Sequence, residues 1–223
     1  ITQAVGFAWA AKMKREPIVT VSYFGDGATS SNDFHAGMNF AGVYQAPTVF
    51  LLRNNGWAIS VPSEQQTHSR TFADKGIAYG VPGVRCDGND ALAVYAVTRA
   101  AVERALRGEG PTLIELVTYR AGAHSSSDDP SAYRAGLEMD EQVRRDPLRR
   151  LRAYLERQHA FSAADQVTLE ERVQAEVNVC IERAEATPAP SIESMFEDVF
   201  EELPSYLREQ RDQCVNGPRA KRH

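Results

Sequence analysis

The sequence predicts an α/β fold, a parallel sheet flanked by helices, with a helical C-terminal extension. Three observations lead there. Short runs rich in β-branched and aromatic residues recur at residues 18–24 (IVTVSYF), 48–52 (TVFLL), 84–86 and 112–119 (TLIELVTY), the composition of buried strands. Between them lie stretches with helical spacing, and a strand–helix–strand unit implies parallel pairing through a right-handed crossover. At 223 residues, 43% hydrophobic and 25% charged, the chain can bury a real core as one large domain or a domain with an appended piece.

The same totals set some function classes aside. A net charge of −5 gives no reason to expect nucleic acid as the main partner. Cys86, Cys180 and Cys214 are scattered and form no CxxC spacing. Neither a disulfide framework nor a zinc site is expected, and a reducing compartment fits better. No stretch approaches the roughly 18 apolar residues of a membrane span, so no membrane segment is expected.

Each element has its own justification. Residues 4–14 carry helical spacing but no start signal, which reads as helix interior in a chain whose natural beginning lies upstream; Pro17 ends it. Ser30, Ser31 and Asn32 offer cap oxygens to a helix over 33–44, stopped ahead of Pro47. Residues 61–71 are polar and loop-like, and a short helix is expected over 72–79. The strand at 84–86 closes in Asp87-Gly88-Asn89, a helix covers 91–106, and Gly108 to Pro111 breaks it. Residues 120–134 (RAGAHSSSDDPSAYR) are small and polar, and read as a long mobile loop. Asp146-Pro147 is a good helix opening. Helices are then expected over 148–158, 163–185 and 192–202, before a basic tail at 217–223. The domain reading is an α/β domain at 1–145 and a helical extension at 146–223 packed on the same unit.

Chemistry gathers at the strand ends. The first strand ends in Gly25-Asp26-Gly27 and the second in Asn54-Asn55-Gly56. In an open parallel sheet, ligands collect beyond the carboxyl ends of the strands. Either tripeptide alone is a common turn. Together, at consecutive strand ends, a carboxylate and an amide oxygen make a hard oxygen set that magnesium accepts when a diphosphate completes the octahedron. Arg53 offers phosphate a forked contact, and free N–H groups at the start of the next helix point the same way.

GDG, 26 intervening residues, then NN resembles the thiamine-diphosphate motif of thiamine-dependent enzymes. GDGATSSNDFHAGMNFAG, RNNGWAIS, VRCDGNDALAVY and YRAGAHSSSDDPSAYR together resemble the alpha subunit of the decarboxylating component of 2-oxo acid dehydrogenase complexes. The likeness continues through EDVFEELPSYLREQ, and the family's alpha subunit is longer at its front. The resemblance implies the thiamine-diphosphate-binding fold, with Asp26, Asn55 and the Trp57 backbone carbonyl as magnesium ligands. It places Gly25, Gly27 and Ala28 against the diphosphate, with Arg53 contacting it. His124 would reach the diphosphate and face the reaction centre, which makes it the catalytic candidate. Ser125 matches a regulatory phosphorylation position, while a further such serine falls on Ala135.

The activity this resemblance implies is oxidative decarboxylation of a small 2-oxo acid with acyl transfer to lipoyl. The partners implied are a beta subunit in an α2β2 heterotetramer, which supplies the activating glutamate, and a lipoyl-bearing acyltransferase. SSSDDPSAYR and ELPSYLREQ look more like branched-chain (2-oxoisovalerate) enzymes, with a pyruvate or acetoin enzyme as the alternative. Location is cytoplasmic if bacterial, which is favoured, and mitochondrial matrix if eukaryotic. Two rivals stay open: a non-catalytic phosphate-binding scaffold, and a magnesium-dependent phosphohydrolase with Asp26 as nucleophile. Elsewhere the readings are plain. His35 reads as a packing or interface residue, His68 and His159 as surface, Trp9 as core or subunit contact, and the arginines of 144–152 as a solvated helix face.

Overall fold

The computed structural model describes residues 1–134 and 144–218, so Ala135 and the end of the basic tail lie outside the described residues. Helix α1 (Thr2–Lys14) leads through Pro17 into β1 (Thr20–Gly25), a 3-10 turn (Asp26–Ser30) and α2 (Asn32–Tyr44). Strand β2 (Thr48–Asn54) is followed by a two-residue hairpin, β3 (Trp57–Ala58) with β4 (Val61–Pro62), and one helical turn, α3 (Ser63–Gln66). A 3-10 stretch (Ala73–Tyr79), β5 (Gly83–Asp87), α4 (Ala91–Leu106) and β6 (Thr112–Val117) come next, and α5 is Pro147–Arg157.

The four long strands form one parallel sheet in the order β1-β2-β6-β5, flanked by helices as the sequence predicts. Period-2 alternation assigns its two faces. Phe50 and Leu52 of β2 join Phe24 and Leu113 under Val5 and Ala8 of α1 and Phe34, Met38 and Ala41 of α2. Val49 and Leu51 join Ile114 and Leu116 on the opposite face, covered by Ala101 of α4. Ser31 caps α2 by accepting from the Phe34 N–H, and Lys12 Nζ donates to the Tyr44 and Gln45 carbonyls at its other end, 2.7 and 3.1 Å away. Among the described residues, no helix is long and apolar enough to cross a membrane.

Two local expectations in this part of the chain need correction. Residues 61–71 are not simply loop, because they supply β4 and α3. A two-residue strand is too short for its period to register in a sequence. The arginines of 144–152 are not all solvated. Arg150 Nη1 and Nη2 reach Asp87 Oδ2 at 2.7 Å and Asp90 Oδ2 at 3.1 Å. Burial alone would raise the Asp87 carboxyl, but the hydrogen bond and charge of Arg150 hold it below the usual carboxylate range. Asp146 caps α5 through the Arg149 N–H, with Pro147 in its first turn, as the residue types predict.

The described chain divides into two compact units, Ile1–Ala160 and Phe161–His223. In the second, a long helix (Ala163–Ala186) opens on a reciprocal capping box between Ser162 and Asp165. The helix expected over 192–202 is a single turn, Ser194–Glu197, and a helix that the periodicity missed runs over Ser205–Asn216. Pro204 bears on the second finding. It disfavours helical backbone at Leu203 before it, and its own ring suits the start of a new helix.

Candidate active site

Parallel register brings the two turns together. Gly25 lies opposite Arg53 where β1 and β2 pair, so Asp26 leaves the sheet beside Asn54 and Asn55. Asn54 in turn lies opposite Val117 of β6, the strand that feeds the loop carrying His124. All eight residues singled out in the sequence line one cavity of about 830 Å³: Gly25, Asp26, Gly27 and Ala28 from the first turn, Arg53, Asn55 and Trp57 from the second, and His124 from the loop. The start of α2 contributes less than expected. The 3-10 turn Asp26–Ser30 intervenes, and Asn32 does not line the cavity.

Asp26 is 1% exposed, yet its carboxylate meets no cation among the described residues. Oδ2 accepts from Gln66 Nε2 at 2.8 Å, and that amide also donates to the Val61 carbonyl. Gln66 Oε1 is itself buried without a hydrogen-bond partner among the described residues. A buried carboxylate with only a neutral donor is poorly compensated. A divalent cation in the cavity would supply the missing charge. Gly27 is needed for a close approach: a Cβ there would lie 2.8 Å from the Ala58 Cβ in β3.

The amide pair forms two successive side-chain turns. Asn54 Oδ1 accepts from the Gly56 N–H at 3.0 Å, and Asn55 Oδ1 accepts from the Trp57 N–H at 3.1 Å. Gly56 has φ +84°, a conformation that favours glycine. The Asn55 oxygen keeps a second lone pair for a ligand. Trp57 faces Pro62 as a non-hydrogen-bonded pair, next to the ladder bond from the Ser63 N–H to the Gly56 carbonyl, so the Trp57 carbonyl points away from β4 and takes no donor from it. One carboxylate, one amide oxygen and one carbonyl lacking a donor from its ladder partner therefore fit a hard, oxygen-seeking cation. Arg53 and Arg120 line the same cavity, so its walls carry positive charge for an anion as well.

The His124 loop is held by polar side chains. The His124 backbone N–H donates to Asp128 Oδ2 at 2.7 Å, and the Tyr133 hydroxyl donates to the same oxygen at 2.7 Å. Arg120 Nη2 donates to the Tyr133 oxygen at 2.6 Å and to the Ile59 carbonyl at 2.8 Å. The Arg134 guanidinium donates to the Arg120 carbonyl, and the Tyr133 ring lies 5.2 Å from that of Trp57. The His124 N–H and the Tyr133 hydroxyl, with the charge of Arg120, hold the Asp128 carboxyl below its ordinary value. Ser125 is exposed, its hydroxyl 3.2 Å from that of Ser127.

Outside the cavity, His35 is exposed, with Nδ1 2.5 Å from the Tyr79 hydroxyl. Trp9 stacks on Tyr44 at 4.2 Å. Sequence reasoning missed Gln66, which sits in a polar stretch with nothing to single it out. It also missed Glu115, whose signal was present: an acid inside an apolar strand must find partners.

A family model described as "Dehydrogenase E1 component" matches residues 1–193 of this chain. The pyruvate dehydrogenase E1 component subunit alpha of Staphylococcus aureus is 43% identical over 209 residues, which cover 93% of this chain and 56% of that protein. The protein of the same name from Staphylococcus epidermidis is 42% identical over the same shares. The mitochondrial 2-oxoisovalerate dehydrogenase subunit alpha 2 of Arabidopsis thaliana is 44% identical over 211 residues, 94% of this chain and 45% of its own length. The chain thus spans about half the length of the curated relatives it matches.

Proposed function

The chain belongs to the dehydrogenase E1 component family, and from that premise we propose that it is the alpha subunit of a thiamine-diphosphate-dependent 2-oxo acid dehydrogenase. One observation carries the reading: a buried, cation-less carboxylate, Asp26, lines the same cavity as Asn55, Arg53 and His124. Asp26, Asn55 and the Trp57 carbonyl would hold magnesium. Arg53, with the backbone of Gly25, Gly27 and Ala28, would hold the diphosphate. Bound thiamine diphosphate supplies the carbon acid and the electron sink for decarboxylation.

His124 stands at the loop side of the cavity, where its ring nitrogens can exchange hydrogen bonds with a bound group. Neither buried acid of the described chain is free to serve as the activating glutamate. Asp26 belongs to the cation, and Glu115 is committed to Asn54, Arg85 and the Ala73 N–H. A beta subunit supplying that glutamate in an α2β2 assembly, and a lipoyl-bearing acyltransferase taking the acyl group, complete the proposal. A phosphate on exposed Ser125 would add about two negative charges beside the cavity, so repulsion would oppose diphosphate binding.

On substrate, the names of the relatives favour pyruvate over the branched-chain acid expected from SSSDDPSAYR and ELPSYLREQ. The Staphylococcus proteins carry the pyruvate name, and the Arabidopsis 2-oxoisovalerate protein is about as similar. Overall likeness therefore does not separate the two acids. The test is co-expression with a beta partner, comparing turnover of pyruvate with that of 3-methyl-2-oxobutanoate. Faster turnover of pyruvate is expected, and preference for the branched acid would restore the other reading. Absence of magnesium-dependent thiamine diphosphate binding in calorimetry would end both.

A further inference from the structure

We infer that Glu115 is a positioning residue that fixes the Asn54–Trp57 turn through the Asn54 amide; its role toward a cation rests on the thiamine-dependent reading above. Glu115 lies in the central part of β6, opposite Leu52 on one side and Arg85 on the other, and is 1% exposed. Its two oxygens receive three donors. Oε1 accepts from Asn54 Nδ2 at 2.7 Å and Arg85 Nε at 3.3 Å, and Oε2 accepts from the Ala73 N–H at 2.9 Å. Glu115 does not line the cavity, so the acid does not act on substrate or cofactor itself.

Its effect is to set which way the Asn54 amide faces. A carboxylate accepts and never donates when ionised, so Nδ2 of Asn54 must point at it. That leaves Oδ1 aimed at the Gly56 N–H, 3.0 Å away, with the Ser63 hydroxyl at 3.5 Å. The main chain of the same residue is pinned as well, because its carbonyl accepts from the Thr118 N–H at 2.8 Å. With Asn54 fixed at both ends, the turn at Gly56 carries the Asn55 oxygen and the Trp57 peptide to their places on the cavity wall. An inverted Asn54 amide would set oxygen against carboxylate and NH2 against the Gly56 N–H, which is repulsive at both ends. Outer partners of metal ligands typically contribute about 10- to 100-fold to metal affinity.

Glu115→Gln keeps the volume but cannot accept from all three donors, since its amide nitrogen must face one of them. Asn54→Ala cuts the same link from the other side and leaves Glu115 its contacts with Arg85 and Ala73. In the assembly co-expressed with a beta partner, the magnesium concentration giving half-maximal thiamine diphosphate binding is expected to rise about tenfold or more in each variant. The double variant should be no worse than the poorer single, because both break one link. In a Trp9→Phe background, Trp57 emission of the metal-free protein is expected to change in both. Unchanged magnesium requirement and unchanged emission would overturn the inference, as would effects that simply multiply in the double variant. Should Glu115→Gln fail to fold, Asn54→Asp, which keeps an acceptor for the Gly56 N–H but loses the donor to Glu115, decides by the same criteria. A wild-type assembly with its beta partner that binds no cofactor would refute the functional reading and the cation role together, while the emission change would still separate a turn held by Glu115 from one that is not.

Discussion

The two walls of the cavity are built on different principles. One wall, Gly25 to Ala28 with Arg53 to Ala58, grows directly from the ends of paired strands and rests on a core in which Phe50, Leu52 and Leu113 have no exposure. The other, the loop from Tyr119 to Arg134, has no buried residue and is joined by hydrogen bonds among Arg120, Asp128 and Tyr133. A wall made by packing keeps its shape whatever enters the cavity. A wall made of a few polar bonds, each contributing about 1 kcal/mol net, can be reset by a ligand, a proton or a modification.

The largest effect should come from the packed wall. Asp26→Asn removes the charge but not the volume, and is expected to abolish magnesium-dependent thiamine diphosphate binding in calorimetry, a loss of about 100-fold or more. The metal-free variant should melt no earlier than the wild type, since it no longer buries an uncompensated carboxylate. A lower melting temperature together with intact binding would show that Asp26 is structural.

Gly27→Ala presses from within the same wall. Its methyl would have to displace the hairpin at Ala58, at a cost of about 1–3 kcal/mol, read as an earlier thermal transition. If the transition does not move, the hairpin is softer than its packing indicates, and the contrast between the two walls weakens.

The loop wall should respond locally. Tyr133→Phe deletes the hydroxyl that joins Arg120 to Asp128. Faster proteolytic cutting between residues 120 and 134 is expected, with the global melting temperature unchanged. A matching fall in both would mean the loop unfolds with the core.

The smallest effect is that of acid. Because the Asp128 carboxyl is depressed in the folded loop, its contribution is fully present above its unfolded value near pH 4 and is lost as pH falls through the lower folded value. Trp57 emission in a Trp9→Phe background should therefore be flat from neutrality to about pH 4 and change below it. Asp128→Asn should remove that step, and a step that persists belongs to another carboxyl.

Much of this was readable in the sequence for a physical reason. Strands such as 48–52 announce themselves as short apolar runs, helices such as 91–106 by their spacing, and the turns at Asp26 and Asn55 by glycine and amide chemistry. What stayed hidden involves partners distant in sequence. Gln66 meets Asp26 across 40 positions and Glu115 meets Asn54 across 61, and no local pattern records either pairing. The expected helix over 192–202 failed differently, because apolar spacing there carried the reading past Glu197, where the single turn ends. The substrate was not legible because the segments used for it, 125–134 and 202–210, are not where the described cavity is lined.

Strands β1, β2 and β6 all stop at a common level, with Gly25 beside Arg53 and Asn54 beside Val117. Such a level rim acts as a workbench. Tools can be exchanged above it without rebuilding the legs, since every exchangeable segment begins after the last ladder bond. If the proposed function holds, a graft of the overhanging segments alone would be the economical route to altered selectivity, since it leaves the rim untouched.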